Sequence, residues 1–154
     1  MRNTKGLDQE SIERVKMIWG YIVDIGSGDS LEGGALENFS VQLDVSNAHK
    51  DNSRTTFSSQ TNTIKIGADA LPGSNKTCAN SRMSVLACLC HELSHAHRYH
   101  MGFRRPYEGD TMHLDEAETS IHASYIPELH YNDRYDLIED SILRLNDWKE
   151  EEAG

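Results

Sequence analysis

Apolar residues follow two periods along this chain. Ile12, Val15, Trp19 and Ile22 recur at intervals of three and four behind Asp8, a good helix N-cap, and the stripe stops at Gly26-Ser27-Gly28. After Gly33-Gly34 the period becomes two. Phe39, Val41, Leu43 and Val45 alternate with Ser40, Gln42 and Asp44, predicting a strand with one buried face. Asn47 to Ser53 is polar and reads as loop. β-Branched residues then crowd Arg54 to Ser58 and Thr61 to Gly67, the two arms of a hairpin or meander. Together these segments predict a small antiparallel sheet.

Helical spacing returns after the loop Ala68 to Asn80, which contains Pro72-Gly73-Ser74-Asn75. Ser81 suits an N-cap, the helix should run to about Met101, and Gly102 provides a left-handed stop. Val85, Leu86, Leu89, Leu93 and Ala96 share its core arc. Phe103 to His113 reads as a second loop, carrying Arg104-Arg105-Pro106-Tyr107. A third helix is expected over Leu114 to Tyr125, ending before Pro127, with Leu114, Ala117, Ile121 and Tyr125 buried. A fourth should start near Asp133, carrying Leu137, Ile138, Ser141, Ile142, Leu145 and Trp148 at helical spacing.

The second predicted helix also carries chemistry. Cys90-His91-Glu92-Leu93-Ser94-His95-Ala96 contains His-Glu-x-x-His. At about 100° per residue, His95 lies about 40° and Glu92 about 100° from His91, so all three occupy one third of the circumference. Two imidazoles one turn apart can share one Zn²⁺, with the glutamate beside the open coordination position as catalytic base. Ser84, Cys88, Arg98 and Gly102 point along the same side.

A catalytic zinc site needs a third protein ligand. Asp115-Glu116-Ala117-Glu118 on the third helix supplies carboxylates. Glu116 and Glu118 are about 200° apart, so only one can face the metal. Glu116 shares its side with the small residues Ser120 and Ala123, which favours it. Glu118 lies with Asp115 and His122 on what reads as a solvated face, and Glu118, Asp115, His113 and His122 remain the alternatives. Tyr107, His113, Tyr125, Tyr131 and Arg144 are candidates for stabilising an oxyanion.

Composition narrows the setting. A chain of 154 residues supports one domain, 1–154, with a modest core, given 37% hydrophobic residues and a mean hydropathy of −0.63. A net charge of −10 excludes the phosphate attraction that drives nucleic-acid binding, leaving a protein as the expected partner. Cys78, Cys88 and Cys90 are odd in number and fit reduced thiols. No run of 18 apolar residues and no Sec-type leader is present, so we expect no membrane span and a cytosolic setting, the chain's own or a target cell's.

His91-Glu92-Leu93-Ser94-His95-Ala96, then Glu116-Ala117-Glu118-Thr119, then Asp140-Ser141-Ile142-Leu143-Arg144, resembles the zincin proteases that bacteria deliver as type III secretion effectors, the group that includes NleD. The family shows His-Glu-Leu-x-His-Ala, Glu-x-x-Thr and Glu-Asn-x-x-Arg; Asp140-Ser141 departs from the last. The likeness covers about residues 60 to 145. It implies a zinc endopeptidase of α+β, zincin-like fold, with the antiparallel sheet packed on the metal helix and further helices. His91, His95 and Glu116 would be ligands and Glu92 the base. It further implies host signalling proteins such as MAP kinases as substrates. Small cytoplasmic zincins that cleave a repressor share the same features, while a non-catalytic zinc-binding module and a metal carrier using His97, His100 and Cys90 are the readings without hydrolysis.

Overall fold

The computed structural model describes residues 1–27, 39–103 and 111–154. Five helices and a three-stranded sheet form an α+β arrangement: α1 (Gln9–Ser27), β1 (Gln42–Asp44), β2 (Thr56–Ser58), β3 (Thr63–Lys65), α2 (Ala79–Arg82), α3 (Val85–His100), α4 (Thr111–Ser124) and α5 (Tyr131–Ala153). Asp8 caps α1, its carboxylate accepting from Ser11 N–H at 2.8 Å. The α1 stripe turns inward as its period dictates: Ile12, Val15 and Ile22 are buried, and Trp19 packs against the core at partial exposure. Gly28, Gly33 and Gly34 lie outside the described residues, as do Arg104 to Tyr107.

The sheet is mixed rather than antiparallel. β2 and β3 form the expected antiparallel hairpin, pairing Phe57 with Ile64. β3 also pairs in parallel with β1, Leu43 facing Ile64, giving the order β1-β3-β2. The chain between β1 and β2 crosses the sheet and leaves a strand-wide gap, of about 10 Å between the outer strands. β3 turns back from β2 into that gap, so it runs in the direction of β1. The first strand is also shorter than its alternation predicts. Phe39 and Ser40 take left-handed conformations (φ 48° and 62°) and form a turn before it.

The metal-motif helix begins later than Ser81. Ser81 instead hydrogen-bonds around Cys78, and the chain breaks at Met83, whose ψ of 126° is not helical. Ser84 then caps α3, accepting from Ala87 N–H at 3.1 Å and donating to Asp133 at 2.6 Å. Gly102, with φ +93°, stops it as expected. α4 already includes Thr111 to His113, ahead of the predicted start at Leu114.

α3 is the central helix: Ala87, Leu89, Leu93 and Ala96 are fully buried against α1, the sheet and α4, while Leu86 is half-buried. The inward face of α4 differs from its prediction. Asp115, Ala117, Thr119, Ser120, Ala123 and Ser124 are buried, whereas Leu114 and Ile121 are half-exposed and Tyr125 is exposed. α5 closes the group from behind α4, with Leu137, Asp140 and Ser141 turned inward. The N-terminal segment lies across the other side. Arg2 donates to the carbonyls of Asp69, Ala70, Asn80 and Met83. A Cβ on Gly73 would fall 1.9 Å from the Met1 carbonyl oxygen, so this approach requires glycine. No helix among the described residues is long and apolar enough to cross a membrane.

Candidate metal centre

A cleft of about 690 Å³ opens between the N-terminal segment, strand β2 and the α3–α4–α5 face. His91, Glu92, His95, Glu116, Asp140 and Arg144 are among the residues lining it. The helical spacing sets both imidazoles over the same side of α3, ring centroids 4.8 Å apart and nearly perpendicular. Ligand-type atoms of His91, Glu92 and His95 lie within 4.8 Å of one another. From α4, Glu116 Oε2 reaches His91 Nε2 at 2.8 Å and His95 Nε2 at 3.3 Å.

The groups behind the rings set what each Nδ1 faces. Ser120 Oγ donates to Asp140 Oδ2 at 2.8 Å, a group that only accepts when ionised, so its lone pairs face His91 Nδ1 at 2.9 Å. Thr119 Oγ1 donates to the Asp115 carbonyl at 2.7 Å and sits 3.4 Å from His95 Nδ1, with Asp115 Oδ2 at 3.6 Å from the same nitrogen. Both Nδ1 atoms therefore face acceptors that can take a ring proton. Each Nε2 is left facing Glu116.

Two imidazole nitrogens and a carboxylate oxygen in one place are joined by ring protons here, and a metal ion could take the place of those protons. Ligand atoms on a zinc tetrahedron with bonds of about 2.0–2.1 Å stand about 3.3 Å apart, and here Glu116 Oε2 is 2.8 Å and 3.3 Å from the two Nε2 atoms. The donor set thus fits a divalent cation of zinc's size and softness. His91, His95 and Glu116 are the residues that could hold it, leaving Glu92 alongside.

Electrostatics separate the two glutamates. Burial pushes the Glu92 carboxyl up from 4.5 to about 7; Glu116 and Asp69 add to this, and His95 and Arg144 oppose it. Burial alone would raise Glu116 too. Hydrogen bonding to His91 and His95 prevails and holds it far below the usual carboxylate range. One carboxyl is therefore poised to carry a proton near neutral pH and the other stays ionised.

Of the remaining sequence candidates, Glu118 is drawn away from the cleft. It pairs with Arg98 at 2.7 Å, and Asp115 pairs with the same guanidinium at 3.2 Å, so the face predicted to be solvated is a partly buried α3–α4 seam. His122 packs edge-on against His97 with centroids 5.9 Å apart. His113 lines the cleft and meets Glu151 at 2.9 Å. Tyr125 and Tyr131 are 74% and 80% exposed and do not line it, and Tyr107 lies outside the described residues. Arg144 lines it, with Nη1 3.7 Å from Glu116 Oε2 and Nε donating to Asp140 at 2.8 Å. Cys88 borders the cleft, its thiol pushed by burial to about 12 and so kept protonated.

Sequence reasoning offered Asp115 only as an alternative metal ligand and Thr119 only as part of a motif, and it gave Arg2 no role. The signal for the positions of the first two behind His95 was the four-residue spacing of polar groups on α4 facing the His-bearing side of α3. Arg2 left no local signal, because its partners are main-chain carbonyls about seventy or more residues away. Compared with known proteins, the chain matches no family model, no curated protein and no solved structure.

Proposed function

We propose that this chain is a zinc-dependent endopeptidase of zincin-like fold acting on a protein substrate. The observation that carries the reading is the convergence of His91 Nε2, His95 Nε2 and Glu116 Oε2 on one point of the cleft, with both Nδ1 atoms turned to acceptors behind. A zinc ion held there would supply Lewis acidity, making a water nucleophilic near pH 7 and polarising a carbonyl. Glu92, buried beside the ligands, takes the proton of the attacking water and returns it to the leaving amine. Arg144 is the donor we assign to the developing oxyanion. It lines the cleft with Nη1 3.7 Å from Glu116 Oε2, one of the three converging ligand atoms.

Residues 52–57, which lead into the edge strand β2, line one side of the cleft, and an extended peptide could pair along such an edge. Delivery into a target cell, with host signalling proteins as substrates, rests on the sequence resemblance alone. The experiment is a comparison of Glu92→Gln with the wild type. The variant should keep one zinc per chain and lose proteolysis, read as new N-termini in a cell lysate. Equal cleavage by both proteins would remove Glu92 from the mechanism, and zinc binding without cleavage by either would leave a metal-binding module.

A further inference from the structure

Asp140 touches neither the three converging ligand atoms nor Glu92, yet it is the best-buried carboxylate at the site, only 3% exposed. Its Oδ2 accepts two hydrogen bonds of 2.8 Å. One comes from Ser120 Oγ on α4, whose lone pairs receive the His91 Nδ1 proton. The other comes from Arg144 Nε, one turn further along α5. Arg144 in turn stands 3.7 Å from Glu116 Oε2. A single carboxylate oxygen therefore holds a chain leading to a metal-ligating imidazole and a second chain leading to the cationic donor.

We infer that Asp140 is the positioning residue that couples the two halves of the site, aligning His91 for the metal through Ser120 and aiming Arg144 at the reacting oxyanion. The inference deepens the zinc reading and rests on it. Two features of the chain argue for the coupling. Asp140 and Arg144 are four residues apart on one helix, so the pair forms without any loop adjusting. Ser120 donates to one neighbour and accepts from the other, so its hydroxyl has one orientation that satisfies both. Each chain is charge-assisted at Asp140, where removal of the charge weakens both at once.

The two chains can be cut separately. Ser120→Ala breaks only the branch to His91, and Arg144→Gln removes only the donor. Both can be read without turnover on the Co²⁺-loaded protein, by chelator competition for metal affinity, by the visible d–d bands for ligand geometry, and by titration with acetohydroxamate. Ser120→Ala should weaken Co²⁺ binding about 10–100-fold and alter the bands, the usual scale for loss of an outer-shell partner. Arg144→Gln should leave Co²⁺ affinity within about 2-fold but weaken acetohydroxamate about 10-fold, near the worth of one charged hydrogen bond. Asp140→Asn should show both losses, and Asp140→Glu should recover part of each.

If Ser120→Ala and Arg144→Gln keep wild-type Co²⁺ and acetohydroxamate binding, the inference is overturned, whether or not the Asp140 variants fold. If folded Asp140→Asn shows one loss without the other, the coupling is overturned as well. A wild-type chain that binds neither Zn²⁺ nor Co²⁺ would instead bring down the zinc reading, and this inference with it.

Discussion

Arg98 Nη2 lies 3.2 Å from Asp115 Oδ1 in the seam between α3 and α4, and the other oxygen of that carboxylate is 3.6 Å from His95 Nδ1. Both residues are buried, with side-chain exposures of 8% and 13%. A buried ion pair contributes little net stability when intact but leaves an unpaired charge when one partner goes. Arg98→Ala should therefore cost about 3–5 kcal/mol, the usual penalty for breaking such a pair. Calorimetry should show a Tm lower by about 6–20 °C for a chain of this size. A loss below about 1 kcal/mol would mean that the seam is held by packing alone.

Glu92 gives a pH signature in chelated, metal-free protein. Its carboxyl is raised by burial from 4.5 to about 7, so the folded state binds the proton more tightly than the unfolded chain. The stability linked to that proton is complete below pH 4.5 and is lost as pH rises through 7. At about 1.36 kcal/mol per pH unit, the loss is about 3 kcal/mol. Glu92→Gln lacks this group, so its stability relative to wild type should rise by that amount between pH 4 and pH 8. Urea unfolding at the two pH values reads the difference, and an unchanged gap would refute the burial account of Glu92.

The thiols should react in a fixed order. Burial pushes Cys88 to about 12 and Cys90 higher still, while hydrogen bonding to Ser81 lowers half-buried Cys78. At pH 8 the native protein should yield one fast-labelling thiol with iodoacetamide, at Cys78, and all three after unfolding. Peptide mapping that finds Cys88 or Cys90 labelled first would contradict the burial of α3 on both of those faces.

The two α4 glutamates should behave differently. Glu116→Ala removes the oxygen that faces both imidazoles and should weaken zinc by at least about 100-fold, an outer-shell loss being worth 10–100-fold. Glu118→Ala removes an ion pair that is 36% exposed on the glutamate side and should leave zinc affinity within about 2-fold. Competition against a chromophoric chelator measures both, and the reverse pattern would transfer the ligand role to Glu118.

These elements also show how far one sequence can be read. α1, the β2–β3 hairpin and the His91–His95 face follow from local period and capping, and all three are present as read. Glu116 could be placed because Ser120 and Ala123 beside it are small enough for α4 to approach α3. The parallel pairing of β1 with β3 could not, since strand order depends on which gap the hairpin enters rather than on either strand's residues. The start of α3 was placed at Ser81, three residues too early, because Ser84 caps equally well by residue type and its partner Asp133 lies 49 residues further on. The α4 face was misjudged for the reason that matters most. The rule that apolar residues point inward fails where a buried polar network replaces the core, and Asp115, Thr119 and Ser120 take the places expected for Leu114, Ile121 and Tyr125.

The most direct test is anomalous diffraction at the zinc edge from crystals of the zinc-loaded protein. The account predicts one strong peak per chain, at bonding distances of about 2.0–2.2 Å from His91 Nε2, His95 Nε2 and a Glu116 oxygen. A peak located elsewhere, or none at that point under saturating zinc, would contradict it.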